Sequence, residues 1–134
     1  MRIAACLGLA LWLAGAGLAS AACPQGQVPA REVRLYLGRN IAGQPAVSEA
    51  DFTAFLDAEV TPRFPDGLTV LDAQGRWRSG AGAIEGEASK VLVLILPSHE
   101  RQADAGLAAI RDAYRRAFSQ ESVLMTSQTV CANF

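Results

Sequence analysis

Alternating apolar and polar residues predict the strands of the folded part of the chain. In the first strand, Val33, Leu35 and Leu37 point to one face and the residues between them to the other. This period of two is typical of a strand with one buried face. Strands are predicted over residues 32–39, 68–73, 90–96 and 122–130. Between the second and third, we expect a bend at 74–75 and a glycine-containing connection over 79–87.

Two other segments repeat their apolar residues at helical spacing. In the first, Ser48 is a favourable N-cap, and the apolar residues of 52–60 fall on one helix face. Pro62 ends this helix, since the residue before a proline avoids the helical region. The second helix is predicted over 99–118, again with one apolar face.

The resulting order, β-α-β-β-α-β, is that of a ferredoxin-like α+β fold. Right-handed crossovers place both helices on one face of a four-stranded antiparallel sheet with strand order 4-1-3-2. The sequence therefore predicts a sheet with one face left without helices.

The third predicted strand is apolar on both faces, because residues 91–96 are all Val, Leu or Ile. The face without helices needs a cover: a second subunit, the N-terminal lead-in or an apolar ligand. A homodimer joined sheet to sheet is the simplest cover. We place Leu94 on this second face, with Arg34 and Tyr36 of the first strand beside it, and expect Leu94→Glu to disrupt the contact.

The first 21 residues have the composition of an export signal. Arg2 supplies a positive charge, residues 3–18 are apolar, and Ala19-Ser20-Ala21 offers a cleavage site of small residues. The expected organisation is a cleaved signal at residues 1–21, an extended lead-in at 22–31 and one domain at 32–134. The expected location is periplasmic or secreted.

Cysteine positions support the same location. Cys6 lies in the signal, which leaves Cys23 and Cys131 in the exported chain. Two cysteines in an exported domain usually form a disulfide. The predicted topology agrees, because strands 1 and 4 are antiparallel neighbours, so the start of one lies beside the end of the other. In the alternative, Cys23 carries a lipid anchor, but Ser20 stands where lipid-attachment sequences favour leucine.

Charge and composition exclude several function classes. Without Arg2, 11 basic residues face 13 acidic ones, and this near-balance argues against a nucleic-acid partner. After the signal, the longest apolar run, 91–96, is far shorter than the roughly 20 residues of a spanning helix. No catalytic motif is present, and His99 is the single histidine, which excludes a histidine triad within one subunit. We expect no metal and no cofactor.

Polar candidates gather at two rims of the predicted sheet. At one rim, Trp77 stands among cationic groups, an arrangement suited to an anionic or aromatic ligand. The simpler interpretation is a Trp that caps the core among solvated charges. The candidate residues of this rim are Arg39, Trp77, Lys90 and Glu121, and those of the sheet face are Arg34 and Tyr36.

The opposite rim is the turn over residues 61–67. Two prolines fix its backbone, Phe64 can anchor it in the core, and Arg63 and Asp66 can pair across it. A rigid turn that presents an arginine suits carboxylate recognition. The same features equally suit a stiff corner between a helix and a strand.

Three segments are distinctive: TPRFPDGLTV at 61–70, SKVL at 89–92 and QESVL at 120–124. With a Cys-Pro start and a Cys-Ala-Asn-Phe end, they resemble a family of short exported bacterial proteins classed as a domain of unknown function. The resemblance covers essentially the whole exported domain. It implies an exported or lipid-anchored single domain and supplies no activity. Family members with a separate lipidation cysteine also have the Cys-Pro, which favours the disulfide role for Cys23.

Two functions remain open. The first is a non-catalytic accessory domain that binds an unknown small molecule or protein. The second is an enzyme of the dimeric α+β barrel kind, acting on a small organic molecule between two sheets, an analogy of fold alone. An enzyme needs Tyr36, Arg34 or Glu121 to converge on an enclosed cavity, whereas a binding domain needs an exposed apolar or aromatic patch.

Overall fold

The computed structural model describes residues 22–40, 46–78, 82–97 and 101–133. The strands are β1 (Val28–Gly38), β2 (Thr69–Arg78), β3 (Ile84–Pro97) and β4 (Leu124–Ala132). The helices are α1 (Glu49–Phe55), which continues as a π-helical turn (Leu56–Val60), and α2 (Arg101–Ala117). The predicted export signal and His99 lie outside the described residues. Within the described ranges, no helix is long and apolar enough to cross a membrane.

The four strands form one antiparallel sheet with the order β2-β3-β1-β4. This is the predicted order, so the ferredoxin-like α+β fold is confirmed. β1 lies at the centre, where it pairs with β3 as far as Gly38 opposite Ser89 and with β4 as far as Tyr36 opposite Leu124. Strands that are distant in the sequence therefore meet on both sides of β1.

One face of the sheet builds the core with both helices. Val33 and Leu35 of β1 lie in one buried cluster with Phe55 of α1 and with Ile110 of α2. The predicted apolar faces of β1 and of the two helices are thereby confirmed. Neither of the two described helices packs on the opposite face of the sheet, which we call the open sheet face.

The placement of Leu94 on the second face is wrong. Antiparallel partners point to the same side of a sheet, and Leu94 lies opposite Val33, a core residue. Leu94 is accordingly fully buried on the helix side. Within its apolar run 91–96, β3 presents Val91, Val93 and Ile95 on the open sheet face. Because β3 is apolar on both sides, its own pattern does not distinguish the two faces.

The first helix begins as predicted at Ser48. The Ser48 hydroxyl accepts a hydrogen bond from the backbone N–H of Asp51 at 3.1 Å, and the Asp51 carboxylate accepts one from the backbone N–H of Ser48 at 3.4 Å. This capping box satisfies two N–H groups at the start of the helix. At the end, the Thr61 N–H donates to the Leu56 carbonyl at 2.9 Å, which widens the last turn before Pro62.

β1, β2 and β3 are longer than predicted, whereas β4 has the predicted length and lies two residues later in the chain. β1 begins at Val28, inside the expected lead-in, because residues from there onward pair with β4. The bend expected at Gln74–Gly75 is wrong: β2 runs straight through it, and β3 begins at Ile84 inside the expected connection. The ladder between β2 and β3 continues for five pairs beyond Ser89. Pairing with a neighbouring strand thus overrides the low strand propensity of glycine.

The predicted disulfide is present. Cys23 and Cys131 are bonded, with 5.5 Å between their Cα atoms and a sequence separation of 108. The bond follows from the strand order, because Cys131 lies opposite Pro29 in the β1–β4 ladder. It ties the segment before the central strand to the edge strand β4.

Candidate functional site

An apolar row crosses the open sheet face from edge to edge. Leu124 of β4, Tyr36 of β1, Val91 of β3 and Leu71 of β2 occupy paired positions in the four strands. The outer members are the exposed ones, Leu124 at 58% and Leu71 at 47%, whereas Val91 between them is buried. This apolar row is therefore a hydrophobic strip whose outer members are exposed among the residues that the structure describes.

A polar cluster adjoins the apolar row. The Glu32 carboxylate accepts hydrogen bonds from Arg34 Nε at 2.7 Å and from Gln128 Nε2 at 3.1 Å. The Glu32 side chain is only 16% exposed, whereas that of Arg34 is 45% exposed. Glu32, and then Tyr36, raise the pKa of Arg34. The cluster thus holds a permanently charged guanidinium in a defined position on the open sheet face.

A small cavity of about 130 Å³ lies at the polar cluster. Its lining residues are Glu32, Arg34, Tyr36, Thr126, Ser127 and Gln128. Arg34 and Tyr36, two of the predicted candidates, are therefore brought together here. Sequence reasoning missed Glu32 and Gln128, which are 96 residues apart and meet only through the β1–β4 register.

Lys90 and Arg39, two other candidates, are tied up in ion pairs on the helix side of the sheet. The Lys90 ammonium lies 2.8 Å from Glu49 Oε2 and 2.5 Å from Asp72 Oδ1, with its side chain only 7% exposed. Arg39 Nη1 contacts Glu49 Oε1 at 2.5 Å, and Arg39 Nε donates to the Val47 carbonyl at 2.7 Å. These contacts join the start of α1 to the sheet, so both cations have a structural role.

The ion pairs of Lys90 shift the pKa values of Lys90 itself and of its two partners, Glu49 and Asp72. Asp72, and then Glu49, raise the pKa of Lys90. Lys90 lowers the pKa of Asp72, and Lys90 followed by Arg39 lowers that of Glu49. No group of three His, Cys, Asp or Glu side chains in the described part of the chain could hold a metal ion.

We expect Lys90→Met to flatten the pH dependence of stability, because the variant lacks the stabilisation that the ion pairs provide between acid and alkaline pH. Lowered carboxyl pKa values stabilise the fold above about pH 4, and this contribution is lost as the carboxylates protonate in acid. The raised Lys90 pKa stabilises it below about pH 10.4, and that contribution is lost in alkali. The loss at pH 7 should be small, since the Asp72 side chain is 85% exposed to water and Glu49 keeps its ion pair with Arg39.

Urea unfolding midpoints measured from pH 3 to pH 11 test this expectation. The control is Arg116→Met, which removes an exposed arginine from the last turn of α2. Identical pH profiles for the wild type and Lys90→Met would contradict it.

A second group of polar residues meets around Gly38, at the end of β1. The buried Tyr114 hydroxyl donates to the Gly38 carbonyl at 2.8 Å, and burial raises the pKa of Tyr114. A Cβ at Gly38 would overlap with Glu87 Oε1. Glu87 accepts from the Asn40 N–H at 3.1 Å, and Gln120 Nε2 donates to the Asn40 carbonyl at 2.8 Å. Sequence reasoning placed Tyr114 only on the apolar face of the second helix and assigned no role to Glu87, and the glycine that ends β1 was the available signal.

The turn over residues 61–67 is anchored as expected but paired differently. Phe64 is buried, and a Cβ on Gly106 of α2 would lie 3.2 Å from its ring. Arg63 Nη1 contacts Glu59 Oε2 at 2.9 Å, one helical turn earlier. Arg63 and Asp66 both belong to the described part of the chain, and they form no ion pair with each other. A cavity of about 350 Å³ lies between the turn and the end of β3. The pairing of Arg63 with Asp66 across the turn is therefore wrong.

Trp77 and Glu121 do not join the cations of their predicted rim. Trp77 lies on the open sheet face opposite Glu85 and is 41% exposed, so it does not cap the core. Lys90 points to the other side of the sheet, into the ion pairs described above. Glu121 is exposed, and its backbone carbonyl accepts from Arg115 Nε at 3.1 Å. The open sheet face is thus the surface that brings the most candidate residues together.

Residues 32–134 match the family described as "Protein of unknown function (DUF3574)", and the chain belongs to that family. None of the curated proteins compared with the chain matches it. Among solved structures, the chain is similar to a phage SAM lyase in complex with S-methyl-5'-thioadenosine, with a TM-score of 0.60, 16% identity and coverage of 78% of this chain and 90% of the lyase. The apo phage SAM lyase gives a TM-score of 0.54 at 16% identity, covering 79% and 90%. At this identity, the similarity shows a shared fold.

Proposed function

We propose that the protein is a small exported domain that binds an organic anion on its open sheet face and catalyses no reaction itself. The observation that carries this proposal is the polar cluster beside the apolar row. Arg34 offers a fixed positive charge there, and Tyr36 and Leu124 offer an adjoining apolar surface. A planar molecule with a carboxylate fits both, because guanidinium and carboxylate form charge-assisted hydrogen bonds.

Export is supported by two features of the chain. The expected signal at residues 1–21 directs the protein out of the cytoplasm. The Cys23–Cys131 disulfide belongs to an oxidising compartment, where such bonds persist. A periplasmic or secreted location therefore agrees with both the export signal and the disulfide.

Self-association is part of the proposal. The apolar row leaves hydrophobic side chains in water, and the cavity at the polar cluster is small and open in a single copy. A homodimer joined through the open sheet face buries the row and encloses the cavity. The ligand then lies between two sheets.

A thermal-shift experiment on the mature domain tests the ligand class. The probes are 4-hydroxybenzoate and phenylacetate, each compared with its neutral amide. We expect the carboxylates to raise the melting temperature, since a ligand at 100 times its Kd stabilises a protein by about 2.7 kcal/mol. The amides should leave it unchanged.

Two matched variants locate the binding site in the same experiment. Arg34→Gln should abolish the carboxylate-dependent shift, and Arg116→Gln, on α2, should retain it. A shift that survives in Arg34→Gln would place the anion elsewhere. If neither carboxylate shifts the wild type, the proposed ligand class is refuted.

The second candidate function is an enzyme that acts on a small organic molecule at the same face. The similarity to phage SAM lyase over 90% of that chain supports it, although many activities occur on one fold. Incubation of the mature domain with S-adenosylmethionine, followed by mass spectrometry, separates the two candidates. Formation of S-methyl-5'-thioadenosine would favour the enzyme, and its absence would favour the binding domain.

A further inference from the structure

β2 and β3 extend beyond the rest of the sheet as a two-stranded arm. The arm consists of residues 74–78 and 84–88, which form the five pairs that lie past the last β1–β3 pair. At about 3.3 Å per residue, it is about 17 Å long. A two-stranded ribbon is marginally stable in water on its own. Residues 39 and 40 hold only the base of the arm, where the Arg39 N–H donates to the Ala88 carbonyl at 3.0 Å and Asn40 Nδ2 donates to the Gly86 carbonyl at 3.3 Å. A surface that packs on the outer end would therefore stabilise the pairs around Trp77.

The side of the arm that continues the open sheet face carries Trp77. This side chain is large and apolar, yet the arm gives it only Glu85 as a partner across the ladder. The other side of the arm carries Arg76, Arg78 and the exposed Ile84. Tryptophan is the residue type most characteristic of the energetic centres of protein interfaces.

The spacing between Trp77 and the apolar row favours contact with a second copy of the chain. Along the open side of β2, Leu71 of the row is followed by Ala73, Gly75 and then Trp77, and Ser89 of β3 lies opposite Ala73. These three residues are small, and Glu87, which lies opposite Gly75, accepts a hydrogen bond from the Asn40 N–H at 3.1 Å. A two-fold axis through this patch lets two sheets approach closely and sets Trp77 of each copy over the row of the other.

Opposite charges on the open sheet face favour the same arrangement of the two copies. Arg34 is the one basic residue among the described strand positions on the open sheet face, and it lies one row beyond the apolar row. Glu85, exposed beside Trp77, approaches the partner's Arg34 when Trp77 covers the partner's row. Opposite charges that meet in this way favour one relative orientation of the two copies.

We infer that the open sheet face of each copy is covered by the arm of a second copy, with Trp77 seated on the partner's apolar row and Glu85 near the partner's Arg34. This inference rests on the self-association proposed above and specifies its contacts. The arm also closes one side of the cavity at the polar cluster.

Tryptophan fluorescence tests the inference directly, because Trp77 is the single tryptophan of residues 22–134. Light scattering and emission spectra are recorded on the mature domain over a dilution series. We expect a dimer whose emission is blue-shifted and moves to the red as the dimer dissociates. Trp77→Ala should raise the dimer dissociation constant by at least about tenfold. The control, Ile84→Ala, truncates an exposed apolar residue on the other side of the same arm and should leave it unchanged.

The outcomes separate the two claims. A wild-type monomer at all concentrations would overturn both the dimer and the arm contact. A dimer whose Trp77 emission stays that of an exposed indole would overturn the arm contact alone, as would equal dissociation constants for Trp77→Ala and the wild type. The carboxylate-dependent thermal shift of the wild type tests ligand binding separately, because it can be present or absent whether or not Trp77 contacts the partner's row.

Discussion

Replacing Cys23 and Cys131 with serine is expected to lower the free energy of unfolding by about 4–5 kcal/mol, in the chain-entropy account of disulfides. The bond spans a sequence separation of 108, so it removes much of the freedom of the unfolded chain. A loss of this size is a large part of the stability of a typical small domain. The double variant should therefore unfold at a much lower urea concentration.

The measurement compares oxidised wild type, reduced wild type and the double serine variant by urea unfolding. Reduced wild type should match the variant, and reductant should leave the variant unchanged, which controls for effects of the reductant itself. Equal midpoints for oxidised and fully reduced wild type would show that the bond contributes nothing.

Leu94→Glu is expected to prevent folding altogether. Leu94 is fully buried opposite Val33, so a glutamate there loses the packing of a leucine and buries a carboxyl group without a partner. Lost packing costs about 2–5 kcal/mol, and burial of an uncompensated polar group adds several more. The sum approaches or exceeds the stability of an ordinary domain.

Val93→Glu is the matched control, because it places the same group one residue away on the open sheet face. That variant should fold, as judged by far-UV circular dichroism and cooperative urea unfolding, and should self-associate more weakly than the wild type. A folded Leu94→Glu variant of near wild-type stability would contradict the assignment of the two sheet faces.

The topology was predictable because local patterns and long-range constraints agreed. The alternation of Val33, Leu35 and Leu37 defined one face of the central strand, and the right-handed crossover rule then fixed its neighbours. That arrangement by itself places Cys23 beside Cys131. Agreement between independent constraints of this kind allows a fold to be predicted from its sequence.

The arm and the polar contacts were not predictable, for two physical reasons. Gly75 and Gly86 signal a bend locally, but the ladder between β2 and β3 keeps both of them in strands. Lys90 pairs with residues 18 and 41 positions away, and such pairs depend on register rather than on spacing. The candidate site was therefore identified by residue type, whereas its grouping needed the structure.

The Cys23–Cys131 bond also determines how the domain responds to mechanical force. β1 and β4 are antiparallel, and the beginning of β1 lies beside the end of β4. In the reduced protein, tension between these two ends would unzip their ladder one hydrogen bond at a time. In the oxidised protein the same tension passes through the sulfur–sulfur bond, so the sheet between the two cysteines carries no load.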